Sequence, residues 1–245
     1  MISRHSFLVF FILSITGFAV SGQATGTKAP GSDTAYVRKC NDFKITGDGT
    51  SEEWNRAEWI SLTPQEGASS NYKTKARILY SARGIYFLFN CTDNKIISTM
   101  TADNLNLWEE DVVEVFLWPD ESFPVYFEYE LSPRNFELPI IVPNKNGDFL
   151  GWLPWHYEGE KKTKHATAIK NDNMQNGEGI TGWTAEFFIP FRLLEPLINE
   201  PPVAGSRWRA NLYRIDYDNG IVPFSWQKTE KTFHEYKKFG TIIFR

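Results

Sequence analysis

Residues 107–118 read Leu-Trp-Glu-Glu-Asp-Val-Val-Glu-Val-Phe-Leu-Trp, and the second half of that run has the character of a β-strand. It is rich in β-branched and aromatic residues, and period-2 alternation separates Val113, Val115 and Leu117 from Val112, Glu114, Phe116 and Trp118. A glutamate between apolar neighbours on one face must be solvated, paired or engaged by a ligand, because burying a lone carboxylate is costly. Ten residues on, Tyr126, Glu128 and Glu130 share a face of a second strand. Aromatic rings and carboxylates mixed on one sheet face suit a sugar, which offers flat C–H patches together with dense hydroxyls.

The rest of the chain extends the strand pattern. Aromatic residues make up 16% of the sequence, and strands are predicted at 43–45, 75–80, 85–92, 111–117, 125–131, 163–170, 181–189, 208–217 and 239–244. Gly-Asp-Gly at 47–49, Asn-Gly-Asp at 146–148 and Asp-Asn-Gly at 218–220 punctuate them as turns. Short helices are predicted at 51–57, carrying Trp54 and leading to Trp59 in the core, and at 191–197. Many strands with few helices indicate an all-β antiparallel sandwich. Segment 85–91 is apolar on both faces, as a central strand between packed layers should be.

A basic start (Arg4, His5), an apolar run over 7–20 and small residues after it give residues 1–24 the pattern of a secretory signal peptide. The run is shorter than the roughly 20 residues a bilayer span needs, and no second long apolar segment follows. Residues 25–38 are small and polar and read as a flexible leader, leaving 39–245 as one sandwich domain, secreted or periplasmic. Without the signal, the formal charge moves from −4 to −5 as Arg4 is lost. A mildly acidic chain with no basic block argues against nucleic acid as the partner. Cys40 and Cys91 are a disulfide candidate in an exported protein, closing a loop of about 50 residues worth about 2–4 kcal/mol, or else two buried thiols.

The loop 148–157 holds Trp152, Trp155, His156 and Tyr157 beside glycine and proline. It could form an aromatic platform, with Trp155 and Tyr157 as the binding candidates, or pack onto the sandwich. Gly177, Gly179 and Gly182 fit G-x-G-x-x-G but precede a strand rather than open a helix, so the match carries no dinucleotide meaning.

Several segments in order resemble carbohydrate-binding module family 9, an immunoglobulin-like β-sandwich. They are Ile45 to Gly49 with Glu53 and Trp54, Trp108 to Phe116, Gly182 to Glu186 with Ile189 to Phe191, Trp208 to Asn211, Ser225-Trp226 and Phe239-Gly240. The resemblance implies an aromatic clamp on a terminal sugar, with Trp108 as one jaw and Phe233 or His234 where the second tryptophan would fall. It implies Glu114 as a hydroxyl acceptor and Tyr213 and Arg214 near another polar position, with Trp226 a secondary candidate. The strand 126–130 departs from the family pattern: Glu128 and Glu130 stand where an arginine and an asparagine would be. Calcium-containing members of the family allow a structural calcium, whose ligands the sequence does not place.

The partner implied is an oligo- or polysaccharide, in carbohydrate catabolism and alongside separate glycan-degrading enzymes, with no integral membrane segment in the mature form. Structural alternatives stand beside these roles, with Trp108 as core and Glu114 as partner of Arg209 or Arg214. A glycosidase would need two carboxylates flanking one bond at about 5–10 Å, whereas Glu128 and Glu130 lie side by side on one face. A haem carrier would draw axial ligands from Met100, Met174 or a histidine, and an adhesive sandwich would need a large apolar patch.

Overall fold

The computed structural model describes residues 32–155, 157–171, 179–198 and 201–245. The signal segment 1–24, the leader as far as residue 31, His156, Met174 and Gly177 lie outside the described residues. Fourteen strands are described: β1 (Thr34–Lys39), β2 (Ile60–Pro64), β3 (Thr74–Tyr80), β4 (Gly84–Thr92), β5 (Val112–Trp118), β6 (Val125–Leu131), β7 (Glu137–Lys145), β8 (Asp148–Phe149), β9 (Leu153–Pro154), β10 (Lys164–Asn171), β11 (Ile180–Pro190), β12 (Arg207–Asp216), β13 (Val222–Ser225) and β14 (Gly240–Phe244).

The strands follow one hydrogen-bonded path, β10-β11-β4-β3-β1-β14-β12-β5-β6-β7-β8, doubled over into two facing layers. β1 is the seam, pairing in parallel with β14 through Thr34–Val37 and with β3 through Arg38 and Lys39. A second seam joins β13 to β2. All other strand pairings are antiparallel, giving the expected all-β sandwich.

Alternation sorts the residues as the period predicts. Val113, Val115 and Leu117 of β5, with Phe127, Tyr129 and Leu131 of β6, face Phe87, Phe89, Trp183, Ala185 and Phe187 across the main core. Phe187 stacks within 5.2 Å of Phe87 and 4.8 Å of Tyr129, so aromatic rings span the two layers. β4 is apolar on its other face too, because Tyr86 and Leu88 bury against Trp54 and Phe188 in a smaller outer cluster.

Both predicted helices are single 3-10 turns, Glu52–Arg56 and Phe191–Leu194. Trp54 is buried, whereas Trp59 is only half-buried and carries Lys75 and Arg77 over its ring. Residues 43–45 form no strand; Phe43 instead stacks on Tyr86 at 4.4 Å.

Two further expectations are corrected. The leader does not extend to residue 38, since β1 occupies Thr34–Lys39 and its alternate residues Ala35 and Val37 enter the core. Cys40 and Cys91 are free. Cys40 belongs to the outer cluster and Cys91 to the main core, so the sheet itself separates the two thiols.

β7 was missed in the sequence because it contains Pro139 and Pro143. Their carbonyls accept N–H groups from Trp155 and Leu150 on the side away from β6. A residue's N–H and C=O point to the same side of a strand, so the absent N–H groups cost the β6 pairing nothing.

Glu186 of β11 ties the first turn to this framework. Its carboxylate accepts the N–H groups of Thr46 and Gly47 and the indole N–H of Trp54, each at 2.7 Å. Gly47 has φ +88°, and a Cβ there would meet the backbone of Ala166 and Thr167 at 2.8 Å, so only glycine lets the turn approach. Replacing Glu186 by alanine orphans the buried Gly47 and Trp54 donors. The variant should lose about 2–4 kcal/mol of unfolding free energy by urea titration; a loss within about 0.5 kcal/mol would show the carboxylate to be dispensable.

Candidate functional site

The outer face of the layer containing β5, β6, β7 and β12 is not solvated but roofed by loops. Its floor combines Val112, Glu114, Phe116 and Trp118 of β5 with Tyr126, Glu128 and Glu130 of β6. Leu138, Ile140 and Val142 of β7 and Tyr213 and Ile215 of β12 complete it. The register sets Glu114 opposite Glu130, and Phe116 opposite Glu128. Directly opposed side chains on one face have Cβ atoms about 4.5–5.5 Å apart, so the carboxylates form one cluster.

The walls come from three loops. The turn Leu107–Glu109 supplies Trp108, β8 and the loop after it supply Phe149 and Trp152, and the segment before β14 supplies Thr232, Phe233 and His234. Trp108 meets Trp152 edge to face at 5.6 Å, and Phe149 stacks on His234 at 4.3 Å. Together they enclose a cavity of about 340 Å³, which Glu114, Glu128 and Glu130 also line.

The acidic residues next to Trp108 have structural work. Asp111 accepts the amides of Ile97 and Tyr217, and Glu110 accepts those of Thr99 and Met100. These bonds fasten residues 97–100 beside the turn, and the Tyr217 hydroxyl donates to the Trp108 carbonyl at 2.7 Å. Trp108 is therefore held by its main chain, leaving the half-buried indole to face the cavity.

The floor carboxylates are held differently. Glu114, Glu128 and Glu130 are each at most 4% exposed. Glu128 Oε2 and both oxygens of Glu130 have no hydrogen-bond donor. Burial pushes all three toward the protonated form, Glu128 to about 8, and the neighbouring charges raise Glu114 and Glu130 further. The Trp108 main chain pulls Glu130 only weakly the other way. Glu128 and Glu130 are side by side, so each carboxyl that keeps its proton can offer it to the other. His234 is pushed down to about 4 by burial, and its Nδ1 lies 2.7 Å from the Tyr126 hydroxyl and 3.8 Å from Glu128. The ring is thus neutral and supplies no counter-charge near neutral pH.

Of the sequence-predicted residues, Trp108, Glu114, Glu128, Glu130, Phe233 and His234 meet in this cavity. Tyr213 lies beneath its edge, stacked 3.9 Å under Phe233 and donating to the Phe233 carbonyl. Arg214 is not at the site: one residue on, it faces the opposite side of β12. There it is fully buried against Asp93 and Asp216 and donates to the Thr92 carbonyl. Trp155 and Tyr157 are also elsewhere. The Trp155 indole donates to the Leu193 carbonyl and the Tyr157 hydroxyl to Glu137, both rings packing on the main core. Trp226 is a core residue under Gly240.

Sequence reasoning missed Phe149 and Trp152. The loop 148–157 does supply aromatic wall, but through residues other than those favoured, since no alternation governs an irregular loop.

A larger cavity of about 560 Å³ lies by Arg83, Lys162, Lys164 and Arg192. Arg83 and Arg192 are already paired with Asp42 and Glu160 at the surface. Among the described residues, no group of three or more His, Cys, Asp or Glu could hold a metal ion, so the floor carboxylates do not fit a calcium site.

An acid whose folded pKa is raised keeps a proton that the unfolded chain releases. For Glu128 stability must therefore fall as pH rises from 4.5, the unfolded value, to about 8. Asp111, raised to about 7 by burial, adds to the same trend, so a difference measurement isolates the floor. Glu128→Gln should gain on the parent by about 1 kcal/mol or more between near pH 5 and near pH 8. A pH-independent difference in denaturant midpoints would mean that Glu128 titrates normally.

The family model described as "Carbohydrate family 9 binding domain-like" matches residues 45–244. Among solved structures, a candidate carbohydrate-binding protein from Bacteroides uniformis ATCC 8492 aligns with TM-score 0.68 at 18% identity, over 86% of this chain and 99% of the other. A carbohydrate binding module family 9 from Caldicellulosiruptor kristjanssonii, in complex with cellotriose, aligns with TM-score 0.60 at 15% identity, over 86% and 93%. The same kind of module from that organism with glucose gives 0.59 at 15% identity, over 86% and 95%. A search of curated proteins finds no match.

Proposed function

Because this chain belongs to the carbohydrate family 9 binding domain-like family, we propose that it is a non-catalytic carbohydrate-binding protein whose sugar sits in the cavity over β5 and β6. One observation carries the reading: an aromatic-walled cavity floored by buried carboxyls, among which Glu128 Oε2 and both Glu130 oxygens have no donor. Trp108, Trp152, Phe233 and His234 offer ring surface around the cavity. Glu114, Glu128 and Glu130 supply hydrogen bonds from the floor to hydroxyls. The cellotriose and glucose complexes of the structural neighbours favour a glycan of this kind.

A carboxyl with its proton both donates and accepts, so the floor can serve a polyol even when its charge is suppressed. One or two ring stacks and a few hydroxyl bonds, less the cost of association, correspond to Kd values of roughly μM to mM.

Hydrolysis is not the role this geometry favours. A glycosidase addresses the scissile bond with its two carboxyls from different sides, whereas Glu114, Glu128 and Glu130 all rise from one sheet face. The reading extends to an exported protein, on the strength of residues 1–24, that works in carbohydrate catabolism beside separate degrading enzymes. Among the described residues no helix is long and apolar enough to cross a membrane.

Calorimetric titration with cellotriose, glucose and a panel of oligosaccharides should give saturable binding. Trp108→Ala should weaken it by about tenfold or more with circular dichroism unchanged. Unaltered affinity in the variant would move the site away from this cavity, and no binding to any glycan would remove the function. Mass spectrometry of the protein exported by a secreting host should show loss of residues 1–24; an intact N-terminus on exported protein would end the signal-peptide reading.

A further inference from the structure

The three floor carboxylates face a cavity that no cationic side chain lines among the described residues. From β5 comes Glu114, and from β6 Glu128 and Glu130. β7 and β12 contribute only Ile140 and Ile215, and the loops contribute Trp108, Phe149, Trp152, Thr232, Phe233 and the neutral His234. Among the described residues no lysine or arginine lines the space. The buried guanidinium of Arg214 is on the far side of the sheet and already holds Asp93 and Asp216.

Two other buried acids, Glu186 and Glu137, are answered by donors of the protein. Glu186 receives main-chain and indole N–H groups, and Glu137 receives Tyr129, Tyr157 and Thr163 hydroxyls with His165 at 3.3 Å. Glu130 is fully buried, lines the cavity and has neither oxygen satisfied. Such an arrangement lacks a positive ligand group. A neutral sugar would meet it only through hydroxyls, leaving the carboxyls without a charged partner and so still protonated. An ammonium offers three N–H donors and a full positive charge, and the surrounding ring faces attract it as well.

Given that the cavity holds a saccharide, we propose that its ligand is an amino sugar with a free, protonated amine, docked against Glu128 and Glu130. Trp108 and the Phe233–His234 edge take the ring, and Glu114 completes the acidic surround. The bound ammonium ionises carboxyls that hold protons in the empty site, so binding releases protons to the solvent. Affinity for the amine should therefore weaken toward acid pH, where those protons are harder to displace.

The test is calorimetric titration of the full chain with three trisaccharides: the β-1,4 glucosamine trimer, its fully N-acetylated form and cellotriose. Near pH 7 the glucosamine trimer should bind about tenfold more tightly than either neutral trimer, and heats in buffers of different ionisation enthalpy should reveal proton release. The preference should shrink near pH 5. In Glu130→Gln, the ratio between amine and neutral trimers should fall to within about threefold, whatever happens to each affinity. Neutral trimers binding as well as the amine, or a preference that survives in Glu130→Gln, would overturn the amine and leave the saccharide site standing. Failure of all three to bind would instead count against the saccharide reading itself. Should the variant not fold, the wild-type comparison among the trimers decides alone.

Discussion

Like charges placed directly opposite on neighbouring strands are destabilising, and the pairing of Glu114 with Glu130, with Glu128 beside them, sets that condition at the centre of a buried sheet face. The register that aligns β5 with β6 also aligns Val113, Val115 and Leu117 with Leu131, Tyr129 and Phe127 in the main core. A one-residue slip would bring the glutamates into that core and lose the apolar seam, so the core holds the acids where they are. The site is therefore a consequence of how the fold is secured, and its cost is offset by the packing on the opposite face of the same two strands.

Buried acids are common in this chain, which makes their differing treatment informative. Glu186 fastens the turn at Gly47 and the indole of Trp54 to β11. Asp93 and Asp216 grip Arg214 between the layers. Glu137, held low at about 2 by His165 and neighbouring hydroxyls despite its burial, joins β7 to Thr163 at the start of β10 and to the loop carrying Tyr157. Each of these carboxylates is met by donors from the protein itself. The floor of the cavity is the exception, since Glu130 lies buried beside aromatic rings with no donor to either oxygen, and that contrast is what the proposed ligand role rests on.

Much of this was legible in the sequence, and the limits have physical causes. Period-2 alternation separated the inner and outer faces of β5, and it put Glu128 and Glu130 on one face before any pairing was known. It also contained the answer for Arg214, which shares its parity on β12 with Ala210 and Leu212 of the core. Reading it instead as a site residue followed from position in a family pattern. β7 was hidden by two prolines whose missing donors happen to face its less-paired edge. β1 was hidden because a short segment gains strand character only from β14 at the other end of the chain and from β3. Such pairing leaves no local signal. The same holds for Trp152, whose place opposite Trp108 is set by where a loop folds back on β7.

The division of labour between floor and walls also bears on how selectivity can change. The carboxylates are fixed by strand register, and their spacing cannot be altered without disturbing the main core behind them. Trp108, Trp152, Phe149, Phe233 and His234 come from loops whose supports are local, such as the Asp111 amide bonds or the stack of Tyr213 under Phe233. Loop residues can vary in size and reach with little effect on the sandwich. On the proposed reading, the charge that a ligand must meet is set by the most constrained part of the molecule, and the shape it must fit by the least constrained. A neutral side chain at the floor would change the class of ligand, whereas a different ring at the wall would change only which member of that class fits best.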